Sequence, residues 1–300
     1  MEPRVGVVIP IWNHLEDTLE CLTSLQVTTY PNVDVLVIDN GSTDGSADVV
    51  TAQFPFVALS VLSENQGFAR ATNVGIRRAL ERDAQYVLLL NNDTVVAPDM
   101  LSALVDAAQA LPRGGILTPR IMYYGSDRIW SIGSCLRPVT FDTPDFGRSR
   151  RPGFSLETLV PVDVILGCGM LVKRCVFEQI GLLDERFFFY YEDLDFSLRA
   201  RHAGYELWAV PWARMWHKVS ESIKQNHYLQ AYYMASSSVH FYSKHAKGKT
   251  RWLTIFYRMM SALRFTLEHG IQGDFDALKG YWRGIKTGMA NTRNAEVNLL

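Results

Sequence analysis

Four short apolar runs, at residues 5–9, 33–38, 57–62 and 86–90, alternate with stretches of helical spacing over the first third of the chain. Each run is rich in Val, Ile and Leu and apolar at consecutive positions, which predicts strands buried on both faces. Between them, Leu15, Leu19, Leu22 and Leu25 mark one helix, and Phe68, Thr72, Gly75, Ile76 and Leu80 another. Met100, Leu101, Leu104 and Ala108 mark a third, with Pro98 placed to open it in the first turn. Strands and helices in alternation predict an α/β fold, a mostly parallel sheet wound with helices on both sides.

After Pro119 the segments shorten. Residues 123–133 read as a hairpin. Residues 137–156 read as an irregular loop holding Pro138, Pro144, Pro152 and the basic cluster Arg148, Arg150 and Arg151. Such composition suits either a lid or a solvated surface loop. A strand at 160–166, helices at 173–180 and 192–203, and a strand pair at 205–210 and 214–217 follow. From Asn226 to about residue 289 the pattern is helical.

With 48% hydrophobic and 20% charged residues, the chain is globular in composition rather than disordered. Its net charge of −1 gives no support to a nucleic-acid partner, but the charge is segregated. Residues 241–293 carry ten basic and three acidic side chains, a balance of +7; the first 240 carry 20 and 27, a balance of −7. Cys21, Cys135, Cys168 and Cys175 form no CxxC pair, as expected of free thiols in a reducing compartment. The strand pattern begins at Val5, which leaves no room for a signal peptide, and no apolar run reaches the ~18 residues of a membrane span. The expected address is the cytoplasm.

Ligands of open parallel sheets bind beyond the carboxyl ends of the strands. Here the first strand ends in Pro10-Ile11-Trp12-Asn13, the second in Asp39-Asn40-Gly41-Ser42-Thr43-Asp44, and the fourth in Asn91-Asn92-Asp93-Thr94. Three strand ends offering amides and carboxylates predict a pocket for a polar ligand, with one carboxylate able to hold a metal. No GxGxxG follows a strand and no GxxxxGK[ST] occurs, so dinucleotide and P-loop readings lose their main support. Alone, the string Asp39 to Asp44 suits a turn and helix cap equally well. Glu192-Asp193-Leu194-Asp195 places three carboxylates within four residues. Their mutual repulsion calls for a cation, a helix N-terminus or a partner such as Arg199, four residues beyond Asp195.

The ordered strings VVIPIWN, VLVIDNGSTDGS, ENQGFARATNVGI, YVLLLNNDT and FFFYYEDLDFSLRARHAGY resemble those of family 2 glycosyltransferases across roughly residues 4–220. The resemblance implies a GT-A catalytic domain over residues 1–222, with a nucleotide-sugar half to about 120 and an acceptor half at about 121–222. A helical extension would occupy 223–300. It implies inverting transfer of a sugar from a UDP- or dTDP-linked donor to a hydroxyl of a saccharide or lipid-linked saccharide. Donor contacts would be Asp39 at the nucleobase, Pro10, Asn13, Asn40 and Ser42 lining the nucleotide pocket, Arg70 near the ribose or diphosphate, and Asn91 and Asn92 beside them. Asn91-Asn92-Asp93 stands where the family has its DXD motif, with Asn91 in place of the first acid. Asp93 is then the carboxylate expected at a divalent cation, Mg2+ or Mn2+, and His217 is the second ligand expected.

By the same resemblance Asp193 is the base that takes the acceptor's proton, and Glu192 and Asp195 position it or the acceptor. A carboxylate of near-normal pKa, already ionised, would serve. Gly167 and Gly169 would lie beneath donor sugar and acceptor. Trp130 suits either a sugar platform or the core. Trp130 to Gly133 and His217 followed by Ser220 and Ser222 give the chain the flavour of bacterial rhamnosyltransferase-like enzymes of polysaccharide synthesis. A sugar-phosphate nucleotidyltransferase would want a Gly- and Arg/Lys-rich loop after the first strand, which Pro10 to Asn13 does not supply. A catalytically silent nucleotide-sugar-binding subunit would lack Asp93 or Asp193, and both are present.

Residues 244–265 combine basic side chains with Trp252, Leu253, Phe256, Met259, Met260 and Leu263. A basic amphipathic helix of this kind lies on an anionic membrane surface, here the inner face of the plasma membrane, or packs its apolar side on the catalytic domain. Both readings stand on sequence.

Overall fold

The computed structural model of the chain describes residues 2–145, 157–219, 226–248 and 250–297, with side chains of the last helix described to residue 292. The cluster Arg148, Arg150 and Arg151 lies outside the described residues, as do Ser220 and Ser222. Two compact units form, the first from Met1–Cys135, Pro144–Asp184 and Asp193–Ser220, the second from Leu136–Thr143, Glu185–Glu192 and Glu221–Leu300.

The first unit opens with β1 (Val5–Ile11), α1 (Leu15–Gln26), β2 (Val33–Asp39), α2 (Ser46–Gln53), β3 (Val57–Val61), α3 (Phe68–Glu81) and β4 (Tyr86–Leu90). It continues with β5 (Thr94–Val96), α4 (Met100–Ala110), β6 (Gly114–Tyr123), β7 (Ile129–Ser131), β8 (Val160–Val162), β9 (Gly169–Lys173), α5 (Arg174–Ile180), α6 (Glu192–His202) and β10 (Glu206–His217). The main strand order is β3-β2-β1-β4-β9-β6-β10-β5. Only β9 and β5 run against the other six strands of that path, so the sheet is mostly parallel. Its apolar runs are continuous because neighbouring residues serve different layers. Val7, Ile9 and Leu88 join one buried cluster, while Val8, Val87 and Leu89 join another on the opposite face.

Several expectations are corrected. Helix α4 starts at Met100, so Pro98 precedes it and instead gives its carbonyl to the Thr29 backbone N–H. In place of a strand pair at 205–210 and 214–217, Glu206–His217 forms one strand, β10, with an irregularity between Val210 and Arg214. In the 160–166 run only Val160–Val162 is strand. The helix expected at 173–180 starts at Arg174, and Lys173 instead ends β9 (Gly169–Lys173), wedged between β4 and β6. The hairpin does form, from β6 and β7.

The second unit is built on α7 (His227–His245), α8 (Thr250–Gln272) and α9 (Phe275–Val297). Helices α7 and α9 meet backbone to backbone through Gly280, Gly284 and Gly288; a Cβ on these would strike the carbonyl oxygens of Tyr228, Tyr232 and Ser236, the last at 2.7 Å. Two outlying strings join this unit. Thr254 Oγ1 donates to Val139 O (2.7 Å), and Ser237 Oγ donates to Phe189 O (2.9 Å). Among the described residues no helix is long and apolar enough to cross a membrane.

Candidate active site

The loops after β1 and β2 are tied together by side chain to backbone bonds. Asn13 donates its N–H to Ser42 Oγ (2.8 Å) and accepts the Thr43 N–H at Oδ1 (2.8 Å). Asn13 and His14 reach the left-handed region, each at φ 58°, to make that turn. Pro10 lies at the end of β1, partly covered. Asp39 is buried, and its Oδ1 accepts the Ser42 N–H (2.8 Å). Asn40 is a strut: it donates to Asn65 Oδ1 (2.9 Å) and Gly67 O (3.3 Å) and accepts the Gln66 N–H (2.8 Å). Arg70 is exposed on the first turn of α3, which starts after Gly67 at φ 86°. Sequence reasoning passed over Asn65 and Gln66, although both stand in the string that carried the family resemblance.

At the end of β4, Asn91 donates its N–H to Cys168 O (3.4 Å), and Asn92 donates to Thr18 Oγ1 (3.0 Å). Asp93 is only 6% exposed. Its backbone leads into β5, whose Thr94 pairs with His217 of β10, so its Oδ1 lies 3.1 Å from His217 Nε2. Trp130 of β7 packs edge-on against the His217 ring, centroids 4.7 Å apart. His217 Nδ1 and Asn91 Oδ1 are buried polar atoms with no hydrogen-bond partner among the described residues, an arrangement that normally awaits a ligand or water.

Asp193 sits in the first turn of α6, and its carboxylate accepts N–H groups from Gly167 (3.3 Å) and Leu194 (2.7 Å). Burial raises its pKa, and these two backbone bonds oppose the rise. The near-normal carboxylate expected from sequence is thus corrected upward. Cys168 is near both acids along the backbone: its carbonyl accepts the N–H of Asn91, two residues before Asp93 (3.4 Å), and the N–H of its neighbour Gly167 donates to the Asp193 carboxylate (3.3 Å). Its thiol is held well above its usual range by burial, then by the charges of Asp93, Asp193 and Asp145. The bonds from Asn91 and Gly167 bring the end of β4 and the start of α6 together at residues 167–168. Asp145, which accepts a hydrogen bond from Ser131 Oγ, was not singled out from sequence because it lies in an irregular stretch with no motif around it.

Other expected residues have different surroundings. Asp195 is 0% exposed and pairs with Arg199 Nε (2.8 Å), whose remaining N–H groups hold Ile180 O and Leu182 O, each at 2.7 Å. Two residues along a helix turn by about 200°, so Asp195 points away from Asp193 and braces α6 instead of meeting an acceptor. Gly169 lies inside β9, where a Cβ would stand 2.7 Å from Met215 Sδ; it is a packing position. Gly167 faces the Phe68 ring and Asp193. Glu192 is buried and ends the string that joins the helical unit.

Among the described residues no three His, Cys, Asp or Glu side chains form a metal-binding group. At the end of β4, Asp93 and His217 are placed to share a cation. A two-ligand site fits a hard octahedral ion that keeps waters and takes phosphate oxygens, and the unpartnered Asn91 Oδ1 and His217 Nδ1 leave polar capacity beside it.

A mostly parallel sheet covered on both faces, with amides and acids at its carboxyl edge and a further acid on a later helix, is the architecture of GT-A glycosyltransferases. Solved structures show the same fold. A mannosyltransferase from Pyrobaculum calidifontis, in complex with GDP-Man and Mn2+, has a TM-score of 0.56 at 19% identity, over 99% of this chain and 76% of its own. GalNAc-T7 with UDP, GalNAc and Mn2+ has a TM-score of 0.60 at 17% identity, over 85% and 54%. The family model "Glycosyl transferase family 2" matches residues 6–181, and the chain belongs to that family. It is 33% identical over 240 residues to the N-acetylglucosaminyl-diphospho-decaprenol L-rhamnosyltransferase of Mycobacterium tuberculosis, covering 73% of this chain and 76% of the relative. The dTDP-rhamnosyl transferase RfbF of Shigella flexneri is 28% identical over 227 residues, covering 74% and 71%.

Proposed function

We propose that this glycosyltransferase is metal-dependent and inverting, and moves rhamnose or a related hexose from a dTDP- or UDP-linked donor to a hydroxyl of a lipid-linked saccharide in cell-surface polysaccharide synthesis. The rhamnosyl donor and lipid-linked acceptor are supported by the names of the two bacterial relatives, one of which acts on a diphospho-decaprenol. The carrying observation is a pair of bonds, Asn91 N–H to Cys168 O (3.4 Å) and Gly167 N–H to the Asp193 carboxylate (3.3 Å), which supports a cation-holding carboxylate at Asp93 and a base at Asp193 in one site.

In this reading Asp39 receives the nucleobase edge, on a loop fixed by Asn13, Asn40 and Ser42, and Arg70 meets the ribose or diphosphate. Asp93 and His217 hold the cation, which when bound offsets the diphosphate charge as a Lewis acid. Asp193 accepts the proton of the acceptor hydroxyl as that oxygen bonds to the anomeric carbon, and the bond from that carbon to the phosphate oxygen breaks. One displacement inverts configuration, and no covalent sugar adduct is needed. The basic, apolar helices of the second unit rest on the membrane face where such an acceptor resides.

The test is a thermal-shift panel of dTDP, UDP and GDP and their sugars, with and without Mn2+. A ligand at 100 times its Kd adds about 2.7 kcal/mol of stability, an easily read shift. We expect dTDP or UDP to stabilise the protein strongly only with Mn2+, and Asp93→Asn and His217→Ala to lose the Mn2+-dependent part. Failure of every nucleotide to stabilise the wild type in Mn2+ overturns the reading.

A further inference from the structure

The helical unit contains a cavity of about 630 Å³ whose lining includes none of the residues assigned above to donor, cation or base. Its size is that of small-ligand sites, roughly 300–1,000 Å³. Helices α7, α8 and α9 line it with Val239, Met259, Leu263, Trp282, Ile285 and Met289. The Ser and Thr hydroxyls in its wall donate to backbone carbonyls. Ser238 donates to Ala235 O (2.8 Å), Ser243 to His240 O (2.7 Å), Thr254 to Val139 O (2.7 Å) and Thr266 to Ala262 O (2.8 Å). A peptide segment entering the cleft would find few partners for its amides. A hydrocarbon needs none.

Two cations interrupt these apolar walls, Arg251 and Arg258 of α8. Arg258 lies over the Tyr242 ring at 4.7 Å and donates to Ser238 Oγ at 3.3 Å. Among the described residues no carboxylate pairs with either arginine. A partly buried guanidinium without an acid favours an anionic ligand group. Unbranched, polarisable Met259 and Met289 suit a flexible chain in the same cleft. From α8, Trp252, Phe256 and Met259 also face solvent at 75%, 64% and 66% exposure, so the helix that carries both arginines is itself compatible with lipid.

We propose that this cleft holds the hydrocarbon chain of a lipid phosphate, with Arg258 and Arg251 receiving its phosphate group. The assignment of that lipid as the acceptor's anchor rests on the proposed lipid-linked acceptor; the binding itself does not. Farnesyl phosphate, below its micellar concentration, is the probe, with farnesol and inorganic pyrophosphate as controls and calorimetry as the readout.

Farnesyl phosphate is expected to bind the full chain saturably, farnesol about tenfold or more weakly, the scale of one charge-assisted hydrogen bond, and pyrophosphate not at all. Arg258→Gln should bring farnesyl phosphate down to the farnesol level and leave farnesol unchanged. Ala262→Phe, which fills the cleft, should remove both, and Ser243→Phe at its exposed rim gives the same answer should Ala262→Phe not fold. The Mn2+-dependent nucleotide shift of each variant reports an intact first unit. Non-saturable binding, or equal affinity in the cleft-filling variant, overturns the proposal. So does binding confined to phosphatidylglycerol vesicles and indifferent to the filled cleft. A silent nucleotide panel with saturable farnesyl phosphate binding overturns the donor reading and leaves the cleft standing.

Discussion

Burial holds the Asp193 carboxyl above the usual carboxylate range, and the N–H groups of Gly167 and Leu194 bring it back only in part. A base whose pKa moves toward the working pH accepts a proton more readily, so the cost of burying it serves the reaction. The cost has a sign. A carboxyl whose native pKa is raised favours the native state in its neutral form; that contribution is full below the ordinary 3.8 and is lost as pH rises through the native value. At neutral pH the ionised side chain therefore destabilises the fold. Asp193→Asn removes this burden, so its melting temperature at pH 7 should equal or exceed that of the wild type, with the gain shrinking on acidification. Turnover should fall by ~100- to 10,000-fold, the scale of lost general-base assistance, while the Mn2+-dependent nucleotide shift persists. Near-normal turnover would take Asp193 out of the reaction. The string Glu-Asp-Leu-Asp was legible in the sequence, but the separate fates of Asp193 and Asp195 were not. Helix geometry puts the two on opposite faces, and only the packing of Arg199 against Ile180 and Leu182 shows which face is interior.

The elements read most clearly from sequence are those buried over most of their length. β1, β2 and β4 have runs of apolar residues because two different core layers claim alternate positions, and Asp34 near the start of β2 is too isolated to obscure the run that follows it. β6, with Gly114, Gly115 and Pro119, breaks that pattern. Gly115 is needed there because the Tyr205 ring lies where a side chain would go; a Cβ on Gly115 would stand 2.7 Å from Tyr205 Cδ1. β9 is five residues long and runs directly into α5, so its period could not be separated from the helix that follows. On α9 the spacing Gly280, Gly284, Gly288 was visible in the chain, but a glycine at every fourth position reads as helix weakness until the opposing α7 backbone is seen. The two meanings have opposite consequences. If Gly284 were only a flexible helix residue, Gly284→Ala would stabilise by roughly 1 kcal/mol. Its contact with the Tyr232 carbonyl leads us to expect destabilisation of ~1–3 kcal/mol instead, as for other overpacked sites. Gly270 on α8 has nothing within 4 Å of its Cβ position, so Gly270→Ala is the control and should stabilise. Thermal melts of the two variants should move in opposite directions; movement in the same direction would refute the close α7–α9 contact.

Charge and apolar exposure are distributed over the whole molecule in one sense. The chain balances to −1, but its acidic excess lies in the first 240 residues and its basic excess in 241–293. The same C-terminal stretch exposes Trp252, Leu253, Phe256, Met260, Leu263 and Leu267, each at 48% or more. Their positions span about 100° of the circumference of α8, at 100° per residue, with Thr254, Arg258 and Ala262 on the other side. A stripe of this kind, with Arg264 at its edge, matches an anionic bilayer surface, to which each nearby basic residue contributes ~1 kcal/mol. The sequence alone left two readings of this helix open, because an apolar face packed on protein and one packed on lipid have the same periodicity. Exposure of the face in the folded chain weights the second. The protein should therefore sediment with phosphatidylglycerol vesicles and only weakly with phosphatidylcholine vesicles, and 0.5 M salt should release much of it, since charges at a surface are screened within ~8–10 Å at physiological ionic strength and less above it. Trp252→Glu with Phe256→Glu should abolish sedimentation and leave the Mn2+-dependent nucleotide shift in place. Unchanged sedimentation of that double variant would show that α8 is not the surface that meets lipid.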